Sequence, residues 1–225
     1  MKYDKELDKI INNNIDEEYA KFHSKIVPNS KIRGVRIPTL RKIAKDFAKY
    51  DDFLQNISLT NYENISIACF YIGLTTKDTL SLQKNLDFIL PYVNNWAICD
   101  TFVSSLKVLK KEKEAYTIVL ITLSSPHIYT KRFGIVALMS YFLTNDKIDQ
   151  IFDNIIPLQN EDYYIDMAIA WLISVAFIKC RAKTLNLLKS GKLTTFVQNK
   201  SISKITDSFR ISHEDKLMVK SLKTN

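Results

Sequence analysis

The chain has 225 residues, of which 46% are apolar, and this is enough for one sizeable hydrophobic core. Its four glycines and five prolines are too few for the many turns of an all-β sandwich or barrel, and the glycines are too scattered to form a phosphate-binding loop. The formal net charge is +8, from 32 basic and 24 acidic side chains, so the first partner to consider is an acidic polymer.

Nearly every segment has the periodicity of an amphipathic helix, and no segment competes as an alternating strand. In chain order, the predicted helices span residues 3–13 and 16–27, a helix that begins at Pro38, and then residues 59–74, 78–89, 94–110, 112–123, 129–143, 146–156, 162–179, 181–190, 198–210 and 213–223. Short polar or proline-containing joints separate these helices.

The helix that begins at Pro38 illustrates the pattern, since proline suits the first turn of a helix. Its apolar side chains recur at helical spacing, namely Leu40, Ile43, Ala44, Phe47 and Ala48. Basic side chains take the other faces, among them Arg41, Lys42, Lys45 and Lys49.

Three segments in the rest of the chain resemble one another, because each is a short joint followed by a helix whose first turns carry one unusual residue. These residues are Trp96, Arg132 and Trp171, which are 36 and 39 positions apart, close to the length of roughly 40 residues of a HEAT-type repeat. We therefore predict an all-α fold, a superhelical solenoid of antiparallel helical hairpins of the HEAT or ARM type, as a single domain over residues 1–225. In such a solenoid the three residues are expected on one concave binding surface.

The basic side chains are concentrated at the two ends of the chain. Residues 1–50 have 12 basic and 7 acidic side chains, residues 51–177 have 9 and 14, and residues 178–225 have 11 and 3. Two basic ends that approach one surface would hold a polyanion on both sides of a less basic centre. The alternative is that these lysines only keep exposed helix faces soluble.

The cysteines and the N-terminus indicate the compartment. Cys69, Cys99 and Cys180 lie in apolar surroundings without Cys-x-x-Cys spacing, which predicts buried thiols and neither a zinc site nor a disulfide. The N-terminus lacks the apolar stretch of a signal peptide, and the most apolar run, 167–178, is too short to span a bilayer. We expect a soluble, cytoplasmic protein without a membrane partner, monomeric by default.

Few residues are arranged for catalysis, because the three histidines are isolated and no nucleophile elbow or metal-ligand set stands out. What remains is Asp100, one turn after Trp96 on the same predicted helix face. Each candidate also has an ordinary structural interpretation. The two tryptophans could be core aromatics, Asp100 a polar contact, and Arg132 the partner of an acidic residue in a neighbouring repeat.

Six short stretches are together fairly specific in their order and spacing. They are Tyr19-Ala-Lys-Phe-His, Arg33-Gly-Val-Arg-Ile-Pro-Thr-Leu-Arg-Lys, Asn95-Trp-Ala-Ile-Cys-Asp, Lys131-Arg-Phe-Gly, Met167-Ala-Ile-Ala-Trp and Lys204-Ile-Thr-Asp-Ser-Phe-Arg. In these stretches, and along nearly its whole length, the chain resembles the AlkD-like DNA alkylation repair glycosylases, a family of HEAT-like repeat proteins.

The resemblance implies a monofunctional glycosylase that excises N3- and N7-alkylated purines from duplex DNA; nothing in the sequence calls for a metal or an organic cofactor. By the same match, Asp100 is the catalytic carboxylate, Trp96 and Trp171 pack against the deoxyribose of the damaged nucleotide, Arg132 contacts the backbone, and Tyr19 lines the cleft. The other basic residues expected to bind DNA are Lys131, Arg33, Arg36, Arg41, Lys204 and Arg210.

The chain departs from the family pattern at two positions. Active members have a second tryptophan where Asn95 stands and a basic residue near Ser174. These departures concern catalysis more than the fold, so one alternative is a HEAT-like paralogue that binds DNA without excising a base. Another is a protein-interaction solenoid in which the basic ends are incidental.

Overall fold

The computed structural model describes residues 1–27 and 30–224, and the regular structure of these residues is helical throughout. Their α-helices are α1 (Asp4–Asn12), α2 (Glu17–Ile26), α3 (Ile37–Phe47), α4 (Tyr62–Thr75), α5 (Thr79–Ile89), α6 (Trp96–Ser105), α7 (Ala115–Thr122), α8 (Ile128–Ala137), α9 (Ile148–Ile155), α10 (Tyr163–Lys179), α11 (Arg181–Lys189), α12 (Thr195–Asp207) and α13 (His213–Lys220). Several short 3-10 helices and one π-helix, Leu138–Phe142, extend or join them. The all-α fold class predicted from the sequence is confirmed.

The chain forms two compact units, a first unit, Met1–Ala115, and a second unit that begins at Tyr116. The first unit contains α1 to α6, and the second contains α8 to α13 and nearly all of α7. The prediction of a single repeat domain over residues 1–225 stays a prediction, and each unit is described by itself.

The centre of the first unit is α4, in which every residue from Tyr62 to Ile72 is buried. A helix that presents no polar face to solvent belongs inside a fold, and α4 packs against α3, α5 and α6. Its contact with α6 is close at Gly73, where an added Cβ would lie 2.4 Å from the Ser105 hydroxyl. Glycine therefore lets the C-terminal halves of α4 and α6 approach each other.

The centre of the second unit is α10, in which ten of 17 residues are buried. It packs against α8 on one side and α12 on another, as well as against α11. In both units, therefore, helices that are two apart along the chain lie side by side. This order of contacts is consistent with the α-helical repeat solenoid that the sequence predicts.

Several predicted helix boundaries are wrong by three residues or more. The helices predicted over 59–74 and 112–123 begin at Tyr62 and Ala115, and the helix predicted over 213–223 ends at Lys220. The helix predicted over 94–110 ends at Ser105, because Leu106 leaves the helical conformation at φ −82° and ψ 70°, and a 3-10 helix follows. The helix predicted over 198–210 spans Thr195–Asp207 instead, because the Thr194 side chain caps its first turn. Arg210 consequently lies beyond α12.

Two further expectations concern the interior and the membrane. All three cysteines are buried thiols, as predicted. In the described part of the chain, none of the helices combines the length and the apolar character needed to cross a bilayer.

Candidate functional site

In the first unit, residues of α2, α4 and α6 line a pocket of about 220 Å³, the aromatic pocket hereafter. Three residues singled out from the sequence, Tyr19, Trp96 and Asp100, are part of its lining. The other lining residues are Phe22, His23, Ile26, Ile37, Tyr62, Ala97 and Thr101. The fold thus brings together residues that lie up to 82 positions apart in the sequence.

Trp96 is half-buried in the wall of the aromatic pocket and does not belong to the hydrophobic core. Its indole Nε1–H donates a hydrogen bond of 3.1 Å to the carbonyl oxygen of Ile26, in the last turn of α2. Because the indole has one N–H group and this contact uses it, Trp96 offers the pocket an aromatic surface held in a fixed orientation.

Asp100 follows Trp96 by one turn of α6, so both side chains lie on the same face of the helix. The carboxylate is half-buried. Among the described lining residues of the aromatic pocket, Asp100 is the one that carries a formal negative charge, and none of them is Lys or Arg. The pocket therefore combines aromatic walls with a carboxylate, which suits a group that develops positive charge.

The floor of the aromatic pocket is formed by two residues that the sequence did not single out, His23 and Tyr62. They are 4% and 2% exposed, and their rings meet edge to face at 5.0 Å. Within the described residues, His23 Nδ1 and the Tyr62 hydroxyl make no hydrogen bond, which is uncommon for buried polar atoms. Burial lowers the pKa of His23, which favours the neutral imidazole.

One feature of the sequence could have pointed to His23. It follows Tyr19 by four residues on α2, so the two rings share a helix face, and their centroids are 5.0 Å apart. Tyr62 gives no such signal, because only the packing of α4 brings it to His23.

Two of the predicted DNA-binding arginines make ion pairs within the first unit. Arg33 Nη1 lies 2.7 Å from Asp8. Arg36 Nη2 lies 2.6 Å from Asp16, and its guanidinium is stacked 5.0 Å from the centre of the Tyr19 ring. Arg36 is therefore placed beside the aromatic pocket through Tyr19, whereas Arg33 is directed toward α1.

The third predicted arginine, Arg41, has different surroundings. It donates a hydrogen bond of 3.0 Å to the Ser104 hydroxyl on α6, and its guanidinium lies 4.3 Å from the centre of the Phe70 ring. The structure thus does not bring Arg33, Arg36 and Arg41 to one place, although the sequence has them within nine residues.

In the second unit, α8 and α10 position three of the predicted residues. Arg132 is buried, and its Nη1 donates a hydrogen bond of 2.7 Å to the Tyr164 carbonyl. The neighbouring Lys131 forms an ion pair with Glu161. Trp171 is 36% exposed, which is inconsistent with the alternative that it is a core aromatic.

Cations gather in the second unit on α8 and α12, the two helices that flank α10. The pKa of Lys204 is lowered by burial and also by the positive charges of Lys200 and Arg132. Like charges held close together favour an anionic ligand, which would relieve their repulsion. Arg210 lies outside α12, is exposed, and follows Phe209, whose side chain is fully exposed.

Both positions at which the sequence departs from the family pattern have structural roles. Asn95 is buried and caps α6, since its Oδ1 accepts a hydrogen bond of 2.9 Å from the Ile98 N–H. Ser174 is also buried, and its hydroxyl donates to the Trp171 carbonyl at 2.7 Å. Neither side chain adds an aromatic surface or a charge.

Two carboxylates of the second unit, Asp162 and Asp166, serve the local fold around the start of α10. Asp162 caps the helix by accepting from the Tyr164 N–H. Asp166 is buried, which raises its pKa, and accepts a hydrogen bond of 3.0 Å from the N–H of Asn160, a residue with φ of 66°. Over the described ranges, no group of three or more His, Cys, Asp or Glu residues is placed to hold a metal ion.

The model of a family described as DNA alkylation repair enzyme matches residues 3–204 of the chain. This range includes every candidate residue named above except Phe209 and Arg210. No curated protein matches the chain significantly.

Proposed function

This chain belongs to the family of DNA alkylation repair enzymes, and we propose that within it the protein is a monofunctional glycosylase that hydrolyses the N-glycosidic bond of N3- or N7-alkylated purines in duplex DNA. The observation that carries the proposal is the aromatic pocket, which Asp100 lines together with Trp96 and Tyr19. When a cationic base leaves, positive charge develops on the sugar, and a carboxylate in a pocket with aromatic walls can stabilise that charge.

The leaving group needs little help from the protein. Alkylation at N3 or N7 gives the purine a positive charge. When the bond between C1′ and the base nitrogen breaks, the electron pair goes to the base, which leaves as a neutral molecule. No general acid is required, so this step does not depend on the buried His23 or on the tyrosines of the pocket.

The sugar takes up the positive charge, and the proposed role of Asp100 is to stabilise it. The carboxylate interacts with the oxocarbenium-like C1′ and orients a water molecule. The water oxygen bonds to C1′, and its released proton passes to the carboxylate and then to solvent, leaving an abasic site. The face of Trp96 adds a cation–π attraction of about 1–2 kcal/mol in a desolvated site.

The second unit is proposed to hold the DNA. Trp171 presents an exposed aromatic surface on α10. Arg132, Lys200 and Lys204 provide positive charge on the neighbouring helices, and contacts of such cations with phosphates dominate the affinity for duplex DNA. The buried guanidinium of Arg132 is fixed by the Tyr164 carbonyl, so it is set in place before DNA binds.

Base release from methylated duplex DNA tests the proposal. The DNA is treated with a methylating agent, incubated with the protein under single-turnover conditions, and the released bases are separated by chromatography. We expect 7-methylguanine and 3-methyladenine to appear at rates above those of DNA alone. Release at the uncatalysed rate, from DNA that the protein binds, would contradict the proposal.

A second candidate function is DNA binding without excision, which the surroundings of Asn95 and Ser174 favour. Both side chains are committed to helix backbone, so the positions at which active family members have a tryptophan and a basic residue contribute neither. This candidate predicts tight binding to duplex DNA with no released base. The same chromatography therefore separates the two functions.

A further inference from the structure

The first unit has a second and larger pocket, about 570 Å³, lined by α3, by the C-terminal halves of α4 and α6, and by the residues that follow these helices. Five cationic side chains line it, and no lining residue in the described structure is acidic. These side chains are Arg41, Lys45, Lys77, Lys107 and Lys111, and the pocket is the cationic pocket hereafter.

The charge of this pocket does not reflect a general excess of cations. Residues 1–115 contain 18 basic and 15 acidic side chains, so the first unit as a whole is nearly balanced. Within the described residues, none of the five cations forms an ion pair with a carboxylate. Five positive charges around one pocket, with no counter-charge in its lining, repel one another until an anion binds.

The carboxylates that directly follow Lys77 and Lys111 in the sequence are used elsewhere. Asp78 caps α5 by accepting a hydrogen bond of 2.8 Å from the Ser81 N–H. Glu112 accepts a hydrogen bond of 3.0 Å from the Thr79 hydroxyl. The acidic neighbours of Lys77 and Lys111 are thus both bound to the first turn of α5.

One cation of the pocket is held in position. Arg41 is fixed by the hydrogen bond to Ser104 and by the stacking on Phe70 described above. Ordering a long side chain in advance reduces the entropy cost of binding. A guanidinium also offers several N–H donors in a geometry that suits phosphate oxygens.

The cationic pocket begins one helical turn from the candidate carboxylate. Trp96, Asp100 and Ser104 follow one another at intervals of four residues on one face of α6. Four residues of helix correspond to ~6 Å along the axis, whereas successive phosphates of one DNA strand are separated by ~3.4 Å along the duplex axis. A strand that runs along this face of α6 with its sugar at Asp100 would therefore place a phosphate one or two nucleotides away beside Ser104, where Arg41 is held.

We propose that the cationic pocket is a phosphate-binding site, which receives backbone phosphates of the strand whose sugar occupies the aromatic pocket. The choice of DNA as the source of the phosphates rests on the proposed function. The cations of the pocket would bind any group of closely spaced phosphates. A free polyphosphate is therefore the other possible ligand, and the experiment distinguishes it from DNA.

The test compares two triple variants with the same change in net charge. The pocket variant is Lys77→Gln/Lys107→Gln/Lys111→Gln, and the control variant replaces exposed lysines of the same unit that do not line the pocket, Lys9→Gln/Lys84→Gln/Lys113→Gln.

Binding to an undamaged duplex is measured by fluorescence anisotropy over a range of salt concentrations. We expect the pocket variant to bind roughly tenfold more weakly, with the slope of log affinity against log salt reduced by ~0.9 for each phosphate that the protein no longer neutralises. The control variant is expected to keep the wild-type slope.

Calorimetric titration with sodium tripolyphosphate forms the second arm, and thermal unfolding verifies that both variants fold. Normal DNA binding by the pocket variant, together with its loss of tripolyphosphate binding, would support a phosphate site that is filled by a free polyphosphate. Equal behaviour of pocket and control variants in both arms would overturn the proposal. Neither arm measures base release, so the two proposals can fail separately. If the protein releases no base but the pocket variant binds DNA more weakly than the control variant, only the proposed glycosylase activity is contradicted. If the protein releases bases and the two variants bind DNA equally, only the phosphate site is contradicted.

Discussion

The two pockets of the first unit are built on the same pair of helices, α4 and α6, yet their linings are chemically opposite. Among the residues that the structure describes, the aromatic pocket, at the N-terminal ends of these helices, is lined by aromatic rings and one carboxylate and by no Lys or Arg. The described lining of the cationic pocket, at the C-terminal ends, has five cations and no acidic residue. A group that gains positive charge during a reaction matches the first lining, and a group with permanent negative charge matches the second.

One short stretch of α6 can therefore serve two purposes. On α6, Trp96 and Asp100 face the aromatic pocket, while Ser104 lies in the cationic pocket and fixes Arg41. Catalysis and DNA binding are then carried by neighbouring turns of the same helix. Substitutions in the aromatic pocket should therefore leave DNA binding largely unchanged, and substitutions in the cationic pocket should leave the rate of base release largely unchanged.

Of all the substitutions considered, Asp100→Asn should slow base release the most. The amide keeps the size of the side chain but loses the charge that stabilises the sugar, so the rate of base release at saturating protein should fall roughly 10²–10³-fold. Single-turnover release of 7-methylguanine measures this rate. Asp87→Asn, which changes an exposed carboxylate of α5 outside both pockets, is the control and should release the base like the wild type.

A smaller effect is expected for Trp96→Ala, which removes the ring and its hydrogen bond to Ile26. Removal of about 1–2 kcal/mol of cation–π stabilisation corresponds to a 5- to 30-fold slower release. Trp96→Phe keeps an aromatic face and should recover part of the rate. If the alanine variant releases bases as fast as the wild type while folding normally, Trp96 is only a packing residue.

Substitution of a cation in the second unit should change two properties in opposite directions, raising the thermal stability of the free protein and lowering its affinity for DNA. Lys204→Met removes a positive charge that burial and the charges of Lys200 and Arg132 disfavour, so the free protein should melt at a higher temperature. The same change should weaken DNA binding several-fold, because the variant has one cation fewer to pair with a phosphate. The control is Lys220→Met on exposed surface of α13. A lower melting temperature with unchanged DNA affinity would mean that Lys204 is structural.

The smallest effect concerns the polar floor of the aromatic pocket. Since burial lowers the pKa of His23 from 6.5 in the folded state, the unfolded chain binds a proton more readily as the pH falls below about 6.5. The free energy of unfolding should then decrease between pH 7 and pH 5 by up to about 1.4 kcal/mol per pH unit. Urea unfolding of His23→Asn should show a weaker pH dependence than that of the wild type. The control His213→Asn, at an exposed position, should keep the pH dependence of the wild type. Identical pH dependence in His23→Asn and the wild type would exclude a buried neutral imidazole.

Much of the fold could be predicted because local sequence determines it. On α3, four residues of the predicted stripe, Leu40, Ile43, Ala44 and Phe47, are buried, as the helical period requires, and the fifth, Ala48, is half-buried. The boundaries were less predictable, since they depend on single capping contacts. Thr194 starts α12 three residues before the predicted position, and no periodicity reveals such a contact.

The site was only partly predictable, because packing assembles it. Trp96 and Asp100 are one turn apart, so their shared face was readable from the sequence. The cationic pocket could not be predicted from the net charge of long segments. Three of its cations, Lys77, Lys107 and Lys111, belong to the segment 51–177, which is net acidic. The nearest acidic neighbours of these lysines are bound elsewhere, which is a property of tertiary structure alone.

The most direct test of the central claim measures binding and release in one experiment, with Asp100→Asn and the variant Lys77→Gln/Lys107→Gln/Lys111→Gln side by side on methylated duplex DNA. Varying the protein concentration under single-turnover conditions gives both the Kd for DNA and the release rate at saturation. We predict that Asp100→Asn abolishes most of the saturating rate at an unchanged Kd, whereas the lysine variant raises Kd at an unchanged saturating rate. Release at the wild-type rate by Asp100→Asn would contradict the proposed role of this carboxylate.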